Sequence, residues 1–310
     1  MVQSFFVLSG EHQQLARDEL ISISKSYDVN TRHSVESRLV IIKSGITWKK
    51  IAKRATFIRA AGNLVDTFDD ISKIDLSMPR SDTFACRAVN LSSKKINTLL
   101  VEREAGEVLK KKMDSKVSLS NPSLTVYLII TDDNRYIGYA DVLEYKRPKK
   151  AIKYPTEIDW KLGRCMVNLS QLKEGKTICD PFCGTGTILL EAESMGIRSM
   201  GIDFDSKMCE ITNKNLAGNG YGPRVVNSTY HHISKIKDEI DAIVTDVPYG
   251  ISSKSSMSPK KIIEDFLSVV PKKMRTVLVY KKGMDIKELN EAKKYEIFRH
   301  KSLTRVIAVR

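Results

Sequence analysis

Asp180-Pro-Phe-Cys-Gly-Thr-Gly-Thr187, DPFCGTGT, stands between the short apolar run Lys176 to Cys179 and the helix-prone stretch Ile188 to Ser194. A β-branched run ending on an acid, then Gly-X-Gly, then a helical pattern reads as a buried strand turning directly into a helix. Gly184 and Gly186 allow backbone conformations closed to other residues and clear side chains from the main chain, so a ligand can lie against the turn. In doubly wound sheets the ligand crevice opens beyond the carboxyl ends of the strands, where this turn falls. A second short strand, Ser199 to Ile202, ends on Asp203 about 20 residues further on, the place from which an acid grips ribose hydroxyls. Asp205 or Ser206 then caps a helix over Lys207 to Leu216. The turn is not G-x-G-x-x-G and offers no seat for a pyrophosphate, so a nucleoside cofactor without phosphates, S-adenosylmethionine, fits better than a dinucleotide. Asp180 is expected to face the ammonium of that cofactor, with Phe182, Gly184, Gly186, Thr187, Asp203 and Phe204 around it.

Asp246-Val-Pro-Tyr-Gly250, DVPYG, ends a further apolar run, Asp241 to Thr245. An exocyclic amine of a nucleobase is a poor nucleophile because its lone pair is delocalised into the ring. Methylating it requires acceptors that hold the amine hydrogens and direct the lone pair at the donor, which is mainly positioning. Asp246, which also borders the cofactor, and the backbone carbonyl of Val247 are the candidate acceptors. Pro248 stiffens the turn, and the Tyr249 ring, followed by Gly250, can stack on a base swung out of its helix. Asp246, Pro248 and Tyr249 are therefore the candidate catalytic residues, and Val247, Tyr249 and Gly250 the candidate base contacts.

With these motifs in place, the chain resembles the archaeal tRNA (guanine(10)-N(2))-methyltransferases. The resemblance rests on Phe5 to Leu20 (FFVLSGEHQQLARDEL), Tyr154 to Ser170 (YPTEIDWKLGRCMVNLS), both boxes, and His300 to Val309 (HKSLTRVIAV). It implies an α/β fold: a C-terminal seven-stranded, Rossmann-like class I methyltransferase sheet behind an N-terminal α+β region with a ferredoxin-like part and a THUMP domain. Expected boundaries are 1–147 for the RNA-binding region, 148–156 for a linker and 157–310 for the catalytic domain. The resemblance also implies tRNA as partner, the 2-amino group of guanosine 10 as acceptor in one or two rounds, and Thr156 as a cofactor contact. Two departures stand out. Val247 replaces a proline common after the acid, keeping the carbonyl, and Ser228 or Asn227 stands where relatives put an aspartate against the adenine amine.

Composition agrees with an RNA partner: 51 Lys and Arg against 37 Asp and Glu give a formal charge of +14, which favours a polyanion through counterion release. Lys146, Arg147, Lys149, Lys150 and Lys153 form a basic run without an acid and are expected RNA contacts. Lys110 to Lys112 end a helical stretch and can equally complement its dipole. No apolar stretch is long enough to span a bilayer, and the start MVQSFFVLSGEH lacks the features of a signal peptide, so a cytoplasmic location is expected; a monomer is the expected assembly, on which no motif bears. A small activating subunit, as in the eukaryotic relative, stays open. The five cysteines contain no C-x-x-C, so neither a disulfide framework nor a zinc site is indicated, and Cys183 is read as a small residue that fits its turn. His231 and His232 lack further ligands at sensible spacing and are read as loop residues; no metal is expected. The serine-rich stretch Ile251 to Pro259 is either a cover for the base or a plain connector.

The pattern predicts strands at 4–8, 39–43, 57–61, 83–89, 124–130 and 136–142 and helices at 11–25, 48–55 and 96–113. Strand and helix then alternate, closing on two antiparallel strands at 295–300 and 304–309. Three rivals share parts of this signature. An amino-methyltransferase for ribosomal RNA, or for adenine or cytosine in DNA, needs both boxes but not the N-terminal half. A non-catalytic RNA-binding protein needs neither Asp246 nor Tyr249. A THUMP-bearing thiouridine synthetase needs a phosphate loop and reactive cysteines that are not here.

Overall fold

Residues 2–74, 78–155, 157–248, 257–300 and 303–310 are described by the computed structural model of the chain. They form two compact units: residues 1–17, 27–53 and 57–145 in one, and 18–26, 54–56 and 146–310 in the other.

The first unit begins with β1 (Val2–Leu8), α1 (Gln13–Tyr27, of which residues 18–26 belong to the second unit), β2 (Arg32–Glu36), β3 (Leu39–Ser44), α2 (Trp48–Ala52) and β4 (Ile58–Thr67). These strands lie in the order β2-β3-β1-β4, all antiparallel, which is the ferredoxin-like βαββαβ arrangement. The polar strand β2, RHSVE, was not foreseen: it is an exposed edge, so it carries no apolar alternation and exists through its pairing with β3. β4 is longer than its apolar pattern indicated. Residues 58–63 pair with β1 and residues 63–67 with β8, the second ladder being irregular between Leu64 and Asp66. There follow β5 (Thr83–Asn90), α3 (Thr98–Met113), β6 (Lys116–Val117), β7 (Leu124–Ile130) and β8 (Arg135–Asp141), which extend the same sheet to eight strands through β4-β8-β7-β5-β6. Lys110, Lys111 and Lys112 occupy the last turn of α3, where cations complement the helix dipole, and Lys112 Nζ donates to the Ile74 carbonyl at 2.8 Å.

The second unit contains α4 (Trp160–Leu169), β9 (Thr177–Asp180), α5 (Thr187–Ser194), β10 (Arg198–Asp203), α6 (Ser206–Ala217), β11 (Val225–Asn227), α7 (Ile233–Ile236), β12 (Ala242–Asp246), α8 (Pro259–Val269), β13 (Arg275–Lys281), β14 (Lys293–His300) and β15 (Leu303–Val309). The seven-stranded sheet runs β11-β10-β9-β12-β13-β15-β14, and β15 is antiparallel to both of its neighbours, as the closing pair of apolar runs predicted. The parallel strands are covered on both faces and accordingly read as continuous apolar runs: β12 is buried from Ala242 to Thr245. One layer of core joins Cys179, Ile202, Ile243 and Leu278 to Ile263 and Phe266 of α8, and another joins Leu189 and Leu190 of α5 to Leu216 of α6.

The segment 149–152, inside the expected linker 148–156, is laid against α6 and the turn that follows it. Asn219 exchanges hydrogen bonds with the Lys149 backbone (2.9 and 2.7 Å) and Asn215 does the same with Ile152 (3.0 and 3.0 Å). Asn215 sits near the end of α6 and Asn219 in the turn after it, tied back by Nδ2 donating to the Asn215 carbonyl at 2.9 Å, so the two meet the extended chain at successive points.

A buried polar network is centred on α4. Asn168 donates to Glu19 (2.7 Å) and to the Arg54 carbonyl (3.0 Å), while Glu19 also accepts from Thr56 N (3.0 Å). Arg164 donates to the same Arg54 carbonyl (2.9 Å), to Ser194 (2.8 Å) and to Glu191 (3.0 Å). Arg164 and Glu191 are each 2% exposed at the side chain, so neither charge has water to fall back on. Glu191→Ala should therefore lower the unfolding free energy by roughly 3–5 kcal/mol, the cost of an uncompensated buried charge. Urea unfolding of the full chain measures this, and a loss below about 1 kcal/mol would show that the pair is not structurally important.

Candidate active site

From β9 the chain passes through α5 to β10 on one side, whereas β12, reached later, pairs with the other side of β9. The connection thus changes direction between β9 and β12, and at such a switch point the strand ends diverge to leave a crevice. Asp180 ends β9 and Asp246 ends β12.

Asp180 holds the crevice floor. Its Oδ1 accepts from Thr245 Oγ1 at 2.6 Å and from Phe182 N at 3.2 Å. The residue is 2% exposed, and its Oδ1 is engaged within the protein. Burial lifts its pKa to about 7; the Thr245 and Phe182 hydrogen bonds oppose this, and the nearby charges of Asp246 and Asp203 add to it.

Asp203 organises the turn from the neighbouring strand. Its Oδ2 accepts from Gly184 N (2.8 Å) and its Oδ1 from Asp205 N (2.9 Å), and burial raises its pKa. Asp205 in turn caps α6 by accepting from Lys207 N (3.0 Å). The backbone N–H of Ser228 and the side chain of Asn227 both donate to the Asp203 carbonyl (3.0 and 2.9 Å), which fixes the end of β11 beside it. Phe204, next after Asp203, is 55% exposed, an apolar ring open to a planar ligand.

The two glycines do different work. Gly186, at φ +79°, starts α5 against Thr212, whose Cγ2 lies 2.6 Å from where a Cβ would sit. Gly184, at φ +50°, has no heavy atom of the described residues within 4 Å of that position, so among them its backbone borders open space. This open cradle, flanked by an acid and an exposed aromatic ring, fits a nucleoside cofactor without phosphates. Thr187 is buried, and its hydroxyl, with that of Thr185, accepts from Lys150 Nζ (2.5 and 2.7 Å), which also pairs with Glu157 at 2.6 Å. Lys150, at 4% exposed, is therefore a brace behind the glycine turn and not the RNA contact its place in the basic run suggested. Burial lowers its pKa, and Glu157 opposes the shift.

Phe182 packs on Tyr230 and Phe266 (ring centroids 5.4 and 5.5 Å) and so supports the turn from below. His231 pairs with Asp265 at 3.3 Å, and Cys183 is buried in the turn, its thiol pushed well up by burial. Lys146, Lys149 and Lys153 are exposed, while Arg147 stacks on Trp160 at 3.8 Å.

Asp246 is an acid of the crevice whose bonding is incomplete among the described residues. Its Oδ2 lies 3.7 Å from Arg305 Nη1, and its Oδ1 is buried with no hydrogen-bond donor among the described residues. Burial raises its pKa to about 6, with Arg305 and then Arg299 holding it down. A buried acceptor without a partner is rare enough to call for a ligand. Val247 is buried, its N–H donating to the Val279 carbonyl at 3.0 Å, and Pro248 is exposed after it. Thr156, Tyr249, Gly250 and the stretch 251–256 lie outside the described residues. Arg305, Arg299, Thr245 and the Lys150–Glu157 pair escaped the sequence reading. Arg305 and Glu157 stood unremarked inside the quoted stretches HKSLTRVIAV and YPTEIDWKLGRCMVNLS, Lys150 was grouped with the basic run and Thr245 only ended an apolar run, while Arg299 left no trace.

The fold and the two strand ends define an S-adenosylmethionine-dependent, Rossmann-like methyltransferase. A family model described as "RMKL-like, methyltransferase domain" matches residues 147–306, and one described as "DNA methylase" matches residues 21–214. TrmN from Thermus thermophilus has the same fold over 99% of both chains, with a TM-score of 0.59 at 18% identity. The tRNA (guanine(10)-N2)-dimethyltransferase of Methanothermobacter thermautotrophicus is 31% identical over 333 aligned residues, covering 99% of each chain. The protein of the same name from Methanocaldococcus jannaschii is 29% identical over 98% of each. The chain belongs to the tRNA (guanine(10)-N2)-dimethyltransferase family.

The contrast between the glycines is testable. Gly186→Ala should cost roughly 1–3 kcal/mol of stability, because strain and a clash with Thr212 coincide. Gly184→Ala should cost only about 1–2 kcal/mol, the left-handed backbone strain, yet weaken S-adenosylmethionine binding at least tenfold in calorimetry, about 1.4 kcal/mol. Equal cofactor affinity for Gly184→Ala and the parent would remove the turn from the cofactor site.

Proposed function

We propose that this chain methylates the exocyclic 2-amino nitrogen of guanosine 10 in tRNA, adding one and then a second methyl group. The observation that carries the chemistry is Asp246 Oδ1, a buried acceptor with no donor among the described residues, at the switch-point crevice beside the glycine turn. The cofactor supplies a methyl group bonded to a positively charged sulfur. Asp246 Oδ1 accepts one amine N–H and the Val247 carbonyl the other, so that the nitrogen lone pair points at the methyl. After one methylation the amine retains a single N–H, and a single acceptor still orients it for the second transfer. The proton released passes to Asp246, whose pKa near 6 keeps it mostly ionised at neutral pH while leaving it basic enough to accept.

The target guanine must leave its stack to reach this crevice, at an unstacking cost of a few kcal/mol. Tyr249 and Gly250 are proposed to hold the everted base and Thr156 to close the cofactor pocket. Ser228 is proposed as the acceptor for the adenine amine. The N-terminal region, with its THUMP part, is proposed to grip the tRNA and set the distance to the crevice, so that shape and not sequence selects the base. The excess of cations, +14 in formal charge, supports a polyanionic partner. Five free, buried cysteines suit a reducing compartment, which supports a cytoplasmic setting, and we read the chain as acting as a monomer.

Labelled S-adenosylmethionine and unmodified tRNA, followed by nucleoside mapping, should place the label on guanosine 10 as mono- and dimethylguanosine. A transcript with adenosine at that position should take none; label on another nucleotide would falsify the assignment. Asp246→Ala should bind cofactor normally and lose turnover on the order of 100- to 10,000-fold.

The pH dependence has a definite sign. Only the ionised Asp246 offers both oxygens as acceptors, so turnover should fall as pH drops through about 6. Arg305→Met removes the charge that holds this pKa down, and the acid limb should move to higher pH. Because the raised pKa means that the folded state binds this proton more tightly than the unfolded chain, its ionisation costs stability as pH rises from the unfolded carboxylate pKa to about 6. Asp246→Asn should accordingly raise Tm at neutral pH while abolishing turnover.

A further inference from the structure

Outside the crevice, one cavity of about 250 Å³ in the second unit is lined by Arg147, Lys153, Trp160, Thr187 and Arg299 together with Lys150 and three acids. The acids are already engaged. Glu157 pairs with Lys150, Glu191 with Arg164 and Arg147, and Asp159 caps α4 by accepting from Lys161 N. Lys153 and Arg299 remain: both are exposed, and neither has an ion-pair partner among the described residues. Two cations thus converge on a cavity whose acids are spoken for.

The walls are ordered. The Arg147 guanidinium lies 3.8 Å from the Trp160 ring centroid and its Nε 3.6 Å from Glu191 Oε1, so it is clamped between an aromatic face and a buried carboxylate. That Nε–H is itself buried with no hydrogen-bond acceptor among the described residues. The floor is set by the Lys150 brace, and the Lys153 end is fixed by the Asn215 bonds to Ile152. Arg299 arrives from β14 at the point where its pairing with β15 skips register between Phe298 and His300. Bulges of this kind turn a side chain away from the strand's regular alternation. Arg299 lies two residues along β14 from Ile297, which pairs with Arg305 on β15, and Arg305 Nη1 stands 3.7 Å from Asp246 Oδ2. The cavity and the Asp246 acceptor are therefore neighbours.

We propose that this cavity is a phosphodiester subsite, in which Lys153 and Arg299 bind a backbone phosphate flanking the nucleotide to be methylated. The inference rests on the RNA methyltransferase reading and adds to it a defined anchor for the everted strand. A guanidinium fork and an ammonium are suited to a tetrahedral oxyanion, and the volume admits a phosphate with part of its ribose but not a whole nucleotide beyond it. Anchoring the backbone next to the crevice fixes the everted base along the strand, which a stacking ring alone does not do.

Binding of an unmodified tRNA transcript to the full chain, titrated from low to high salt, tests the proposal. For Arg299→Gln and for Lys153→Gln the slope of log affinity against log salt should become shallower by about 1 each, with affinity reduced several-fold at fixed salt. The KM for tRNA should rise in step. Affinity for S-adenosylmethionine, measured by calorimetry on the same samples, should match the parent and will also report correct folding. Arg299→Lys should restore the slope while recovering only part of the affinity. An unchanged slope in both glutamine variants overturns the subsite, and so does a loss of cofactor affinity without a change in slope, which would assign the cavity to the cofactor. These readouts are independent of nucleoside mapping: label at a base other than guanosine 10 in the parent would defeat the assigned target while leaving the phosphate contact to be judged on its slope.

Discussion

The hydrogen bond from Thr245 Oγ1 to Asp180 Oδ1, 2.6 Å long and fully buried, ties together the two strand ends on which the site depends. β9 and β12 share only a short parallel ladder, Ala242 with Ile178 and Ile243 with Cys179, and the strands part beyond it. Parallel strands that diverge at a switch point have no further backbone bonds to hold their tips in register. The Thr245–Asp180 contact supplies that hold, so the glycine turn after Asp180 and the acceptor box after Thr245 keep a common floor. The cofactor side and the substrate side of the crevice are separate pieces of chain, and this one contact keeps their spacing.

The carboxylates around that floor trade stability for chemistry. Asp180 and Asp246 are both raised by burial, to about 7 and about 6. Asp180 answers the cost with two internal hydrogen bonds; Asp246 has a guanidinium at 3.7 Å and one oxygen without a donor among the described residues. A site with an unmet acceptor is less stable than a filled one, and proteins retain such groups where a ligand completes them. The surrounding structure is correspondingly firm. Arg164, Glu191, Asn168, Glu19 and Arg54 form a network in which buried charges are paired and backbone carbonyls are used, and Lys150 with Glu157 braces the turn from behind. Rigid support behind an incomplete first layer holds a reacting group in a productive geometry.

Legibility in the sequence followed the range of the interactions. The glycine turn, the acid ending β10, the cap at Asp205 and the closing antiparallel pair were readable because each is a matter of a few neighbouring residues. The polar strand β2 was missed because edge strands owe their existence to a partner and not to their own pattern. Lys150 was misread for the same reason in reverse. Five cations in a row look alike in sequence, and burial of one of them against Glu157, Thr185 and Thr187 is decided by residues 7, 35 and 37 positions away.

Read by itself, the sequence determined the fold class and the cofactor type, since periodicity, turn chemistry and motif spacing are local properties of the chain. Only the tertiary structure decided which charges face the crevice. Asp180 turns inward to Thr245, Arg305 arrives from the far end of the chain to stand beside Asp246, and Arg299 is brought by the register skip in β14 to the cavity beside them. The physical reason is that burial and pairing are relations between distant segments: a side chain's charge and its remaining hydrogen-bonding capacity are set by what packs against it.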